Sequence, residues 1–173
     1  MSNKCKTGRT KFSLLLVVLA AGCTRGWYGA PQPVLAKSYR NICFFTPPEL
    51  KPDLARAVSN WNQALNGKIA LEAGVDSCDI IVQESENPPC PQEALACANE
   101  LGGSVVYLRK GSYERQPANV LAHELGHVFG AQHLEGSLMS TTGAGYSCPD
   151  LPTMAQVAGF QRWNLAELRF CAF

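Results

Sequence analysis

All three histidines of the chain, His123, His127 and His133, fall within the eleven residues His-Glu-Leu-Gly-His-Val-Phe-Gly-Ala-Gln-His, at positions n, n+4 and n+10. Random placement of this composition, with Glu required at n+1 and Gly at n+7, yields that pattern about once in a million arrangements. No other feature constrains the backbone as tightly. His123 and His127 lie one helical turn apart on one face, so both imidazoles can reach a single ion at about 2.0–2.1 Å. His133 cannot join them from the same helix, because ten residues carry it about 80° around and about 15 Å along the axis. The helix must end between His127 and His133. Gly130 permits this, since glycine adopts the left-handed conformation that turns a chain at a helix C-terminus.

Three neutral nitrogens leave the charge of a dication uncompensated and a fourth position open. That arrangement lets zinc lower the pKa of bound water to about 7. Zinc is therefore the expected cofactor. Glu124 follows the first ligand directly, placed to take a proton from the attacking water and deliver it to a departing amine.

The N-terminus carries a different kind of information. Lys4, Lys6, Arg9 and Lys11 precede an apolar stretch from Phe12 to Ala21, and Ala20-Ala21-Gly22 supplies small residues before Cys23. This is the layout of a secretory signal over residues 1–22. A cysteine directly after small residues resembles the lipobox of bacterial lipoproteins, although Ala20 stands where that motif carries Leu, with Leu19 one position earlier. The resemblance implies lipid attachment at Cys23 and a place in the bacterial cell envelope; without the lipid the protein would be secreted. The Gly- and Pro-bearing residues 23–36 then read as a tether, or as a packed arm held by Trp27 and Tyr28. Residues 37–173 form the folded body, expected to be a single domain and a monomer.

Charge and cysteine usage agree with export. The whole chain has 15 Lys and Arg against 14 Asp and Glu, and four of those cations fall in the signal. The body is therefore net acidic, with no basic excess to neutralise phosphates, so nucleic acid is not an expected partner. No apolar run reaches the roughly 18 residues of a spanning helix, so contact with a membrane is expected only through Cys23. Removing Cys5 with the signal and assigning Cys23 to lipid leaves Cys43, Cys78, Cys90, Cys97, Cys148 and Cys171, an even set that reads as three disulfides in an oxidising compartment. The pairing is open, although Cys90 and Cys97 are close enough to close a small surface loop.

The remaining patterns give an element order. Asn41–Thr46 reads as a strand halted by Pro47 and Pro48. Leu50, Leu54, Val58, Trp61 and Leu65 form one helical stripe that stops at Asn66-Gly67. Ile69–Ala73 and Asp79–Gln83 read as strands around a Gly74 turn, residues 86–99 as irregular, and Ser104–Leu108 as a fourth strand. A second helix is expected from Pro117 or Ala118 through Phe129. A third is signalled by the capping-box pattern of Thr153 and Gln156.

The eleven residues from His123 to His133 are similar to the zinc-binding signature of the metzincin clan of metalloendopeptidases, and Ser137-Leu138-Met139-Ser140 resembles its Met-turn. This resemblance implies an α+β fold with a twisted, mainly parallel sheet and two long helices, plus a small C-terminal subdomain with a helix after the Met-turn. It implies zinc ligation by His123, His127 and His133, catalysis by Glu124, a structural floor at Met139, and a protein or peptide substrate. The connection from His133 to Met139 is short, Leu134 replaces a serine common in matrixins, and Thr141 stands where astacin-like and serralysin-like members carry a tyrosine. Tyr146 can substitute only if its loop reaches the site. Two other functions share these residues: a zinc hydrolase of cell-wall peptide amides, and a binding lipoprotein that keeps the metal as a staple. Glu124 weighs against the staple, because metal affinity needs only the histidines.

Overall fold

The computed structural model describes residues 41–73, 77–113, 115–141 and 147–171. The signal segment, Cys23, the tether, the Gly74 turn and Tyr146 lie outside them. Chain order runs β1 (Asn41–Phe45), α1 (Lys51–Leu65), β2 (Glu72–Ala73), β3 (Ile80–Ser85), β4 (Ala96–Ala98), β5 (Val105–Arg109), α2 (Pro117–Val128) and α3 (Leu151–Gln161). The architecture is α+β. Its sheet has the order β2-β1-β3-β5-β4, with β4 alone antiparallel, on β5.

Strand alternation explains why one face of this sheet is buried. Ile42 pairs with Ile80, Val82 with Val106, and Leu108 with Ala96. These residues join a single core with Leu54, Trp61 and Leu65 of α1 and Leu121, Leu125 and Val128 of α2. The two helices are also tied by the indole of Trp61, whose Nε1 donates to the carbonyl of Ala122 at 2.9 Å. Asn66 takes the left-handed conformation at the end of α1 (φ 48°), as the Asn66-Gly67 stop signal predicts.

Two expectations are corrected. Residues 86–99 are not wholly irregular, because they contain β4; two alanines around a cysteine have little β-propensity and are too short to alternate visibly. The third helix begins at Leu151, and its cap is Asp150, whose carboxylate accepts from the amide of Thr153 at 2.9 Å. The capping box of Thr153 and Gln156 does not form, and the buried Thr153 hydroxyl has no hydrogen-bond partner among the described residues. An Asp before Leu-Pro competes better for this position, since Pro152 needs no amide partner in the first turn.

The six body cysteines form three disulfides, Cys43–Cys78, Cys90–Cys97 and Cys148–Cys171, with Cα separations of 5.6, 5.8 and 6.0 Å. Three disulfides in a body of this size point to an oxidising, extracellular environment. No described helix is long and apolar enough to cross a membrane.

Candidate metal centre

His123 and His127 project from the same face of α2, and the chain then breaks at Gly130, which has a φ of 95°. The break is reinforced from outside. A Cβ at Gly130 would overlap the ring of Phe160 in α3, so this glycine is required both by its dihedral and by the helix packed on it. The redirected chain brings His133 back. The ligating atoms of the three histidines lie within 4.8 Å of one another, and the His127 and His133 Nε2 atoms are 3.2 Å apart.

Hydrogen bonds to the other ring nitrogens settle which atoms face the centre. Nδ1 of His123 lies 2.9 Å from the carbonyl of Leu138, and Nδ1 of His127 lies 2.8 Å from the carbonyl of Ala131. A carbonyl only accepts, so each Nδ1 must carry the proton and each Nε2 presents a bare lone pair. This is how metal-binding imidazoles are commonly oriented. Two nitrogens on a tetrahedral ion, each at about 2.0–2.1 Å, stand about 3.3–3.4 Å apart. The observed 3.2 Å between His127 and His133 fits that edge. The three-histidine group can hold a metal ion, and an all-imidazole donor set suits zinc, copper, iron or nickel.

The electrostatics favour neutral ligands. Burial lowers the pKa of His123 to about 4, against the opposing pull of the Leu138 carbonyl. Burial and then the neighbouring His123 lower His127 to about 3. His133, the most exposed of the three, is also lowered by burial. At neutral pH the imidazoles are therefore uncharged and able to donate to a cation.

Glu124, the residue after His123 on α2, is 6% exposed. Its Oε2 accepts from the amide of Ala98 in β4 at 2.8 Å. Burial raises its pKa to about 8, more than the Ala98 hydrogen bond lowers it. A dication nearby would oppose that shift by favouring the carboxylate.

Met139 is fully buried, and its sulfur lies against Gly126, midway between Glu124 and Val128 on α2. A Cβ at Gly126 would overlap the sulfur, so this mid-helix glycine makes room for the turn that carries Met139. That turn is closed by its own bonds. Leu134 N donates to Met139 O at 3.0 Å, and Met139 N donates to the Ser137 hydroxyl at 3.0 Å. Behind it stands Asp150, buried, whose Oδ2 accepts from Leu138 N at 2.6 Å while Oδ1 caps α3. Gln156 Oε1 accepts from Gln132 N at 2.7 Å.

Sequence reasoning singled out His123, Glu124, His127, His133 and Met139; the structure brings the three histidines together, sets the Glu124 carboxylate on Ala98 and packs Met139 against Gly126. It missed Ala98, Asp150, Gln156 and the purpose of Gly126. Two of these had a signal: a glycine inside a helix costs about 1 kcal/mol relative to alanine and so demands a reason, and Asp-Leu-Pro is a helix-start pattern. Ala98 and Gln156 had none, because their partners are distant in sequence. Neither a scan against protein-family models nor a search of curated proteins returns a match to this chain.

Proposed function

We propose that the protein is an exported, metzincin-like zinc endopeptidase. The observation that carries this reading is the convergence of three inward-facing imidazoles, two of them pinned through Nδ1 to backbone carbonyls, with the buried carboxyl group of Glu124 next in sequence to the first of them. When bound, zinc supplies Lewis-acid polarisation of a carbonyl and of water. Glu124 is the general base and acid: it takes a proton from the attacking water and returns it to the departing amine. A carboxyl whose pKa is raised by burial suits both halves of that cycle near neutral pH. Ala98 holds one carboxylate oxygen, leaving Oε1 to carry the proton.

An extended peptide is favoured over other amides by the position of β4. It is a terminal strand of the sheet, flanked by ladder bonds from Arg109 N to Leu95 O and from Asn99 N to Val105 O, so both backbone groups of Ala96 and the carbonyl of Ala98 turn away from β5, while the Ala98 N–H serves Glu124. A peptide can align on such an edge by main-chain hydrogen bonds. Met139, packed against Gly126 of α2, serves as the apolar floor of the site in this reading, and the sheet order with its one antiparallel edge strand is compatible with a metzincin fold. Glu124→Gln is expected to keep one zinc per chain and near-native stability while reducing peptide cleavage by at least about a hundredfold. Cleavage of a mixed peptide library by that variant, or by chelated wild-type protein, would refute the assignment.

The cysteine at position 23 is read as the lipid-bearing N-terminus of the mature protein, with the tether spacing the catalytic body from the membrane. Mass spectrometry of the mature chain is expected to find a diacylglyceryl group on Cys23. An unmodified thiol there would leave secretion as the route.

A further inference from the structure

Histidines that bind metals are normally aimed by the partner of their second nitrogen. His123 and His127 have such partners, but His133 has no carbonyl on Nδ1 among the described residues. Its direction must come from the backbone on either side. On one side Leu134 N is held by Met139 O. On the other, α3 grips the segment that follows α2 at three successive places: Gln161 Nε2 donates to Phe129 O at 3.3 Å, Phe160 packs where a Cβ of Gly130 would stand, and Gln156 Oε1 accepts from Gln132 N. The residue after that last contact is His133.

The same helix reaches the first ligand by another route. Asp150 accepts the amide of Leu138, and the carbonyl of Leu138 accepts Nδ1–H of His123. Two hydrogen bonds through one residue thus join the cap of α3 to a metal-facing ring. The amide of Gln132 is exposed. Water could satisfy it, and holding a glutamine side chain in one rotamer costs conformational entropy. The benefit of this bond is therefore geometric. We infer that α3 is the positioning element of the metal centre, with Gln156 aiming His133 through Gln132 and Asp150 aiming His123 through Leu138. The inference rests on the metal-centre reading above.

Zinc affinity, measured on the full chain by competition with a chromophoric chelator, tests it without reference to proteolysis. Gln156→Leu and Asp150→Asn are each expected to weaken zinc binding about 10- to 100-fold and to change the visible absorption of the Co2+-substituted protein. Gln156→Glu keeps the accepting oxygen and is expected to restore both. Zinc affinity and a Co2+ spectrum unchanged in Gln156→Leu would overturn the proposal, however far the melting temperature fell. So would a Gln156→Glu variant as impaired as the leucine. Should Asp150→Asn fail to fold, the exposed Gln156 bond still decides the matter. Wild-type protein that binds no zinc would instead defeat the metal-centre reading itself, so the two failures are distinguishable.

Discussion

Gly126 shows how two local rules oppose each other. Alanine is a better helix former than glycine by about 1 kcal/mol, so Gly126→Ala would stabilise an isolated helix. Against the sulfur of Met139 the same methyl group has no space. Overpacking of a tight core typically costs about 1–3 kcal/mol, which exceeds the propensity gain. Gly126→Ala is therefore expected to lower stability and zinc affinity together, measured by thermal denaturation with and without metal. A stabilised variant would show that the turn carrying Met139 yields easily. The pairing of His123 and His127 was legible from spacing, because helical periodicity alone places them on one face. The partners that fix their tautomers, Leu138 and Ala131, were not, since backbone carbonyls leave no trace in residue identity.

The strand β4 and the helix α2 are joined by the hydrogen bond from Ala98 N–H to Glu124. Ala98 faces outward from the β5 ladder, whose neighbouring bond runs from Asn99 N to Val105 O. Proline is tolerated at an edge position whose N–H does not serve the ladder. Ala98→Pro is thus expected to leave the sheet intact while removing the donor that holds the Glu124 carboxylate, an interaction of about 1.5–3 kcal/mol. That donor lowers the pKa of Glu124, so the acid limb of the pH profile of kcat/KM should move to higher pH. An unmoved limb would separate Glu124 from the proton transfer. The helices were readable because long apolar stripes average out local noise, whereas β4 spans only Ala96–Ala98. Its existence depends on β5 supplying the ladder.

Stability of the whole domain should depend on pH in a predictable way when no metal is bound. The folded pKa values of His123 and His127, about 4 and about 3, lie below the ordinary 6.5. An unfolded chain then binds more protons than the native one as pH falls below about 6.5, so stability is lost on acidification. Glu124 acts in the opposite sense. Its pKa, raised from 4.5 to about 8, makes the native chain the better proton binder between those values, so stability is lost as pH rises through that window. Two histidines outweigh one glutamate on the acid side, and the terms balance where the unfolded histidines are half protonated. The melting temperature of metal-free protein is expected to peak between about pH 6 and 7. Glu124→Gln should remove the alkaline decline and keep the acid one; a variant that still declines above pH 7 would assign that limb to other groups. Around this site the disulfides act on the unfolded state. Loops of 35, 7 and 23 residues correspond to about 4, 2 and 3 kcal/mol in the chain-entropy model.

Spacing and composition were sufficient for the parts of this protein governed by local rules. The helical face of His123 and His127, the break at Gly130, the stripe of α1 and an even set of cysteines all follow from helix periodicity, glycine's access to positive φ, and the chemistry of an oxidising compartment. Contacts between residues far apart in the chain were decided only by folding. Asp150 reaching Leu138, Gln156 reaching Gln132, Ala98 reaching Glu124 and Cys148 joining Cys171 each depend on where whole elements pack. Hydrogen-bond and disulfide partners are chosen by proximity in space, and the tertiary packing of α3 and β4 against α2 and the turn beneath it creates that proximity.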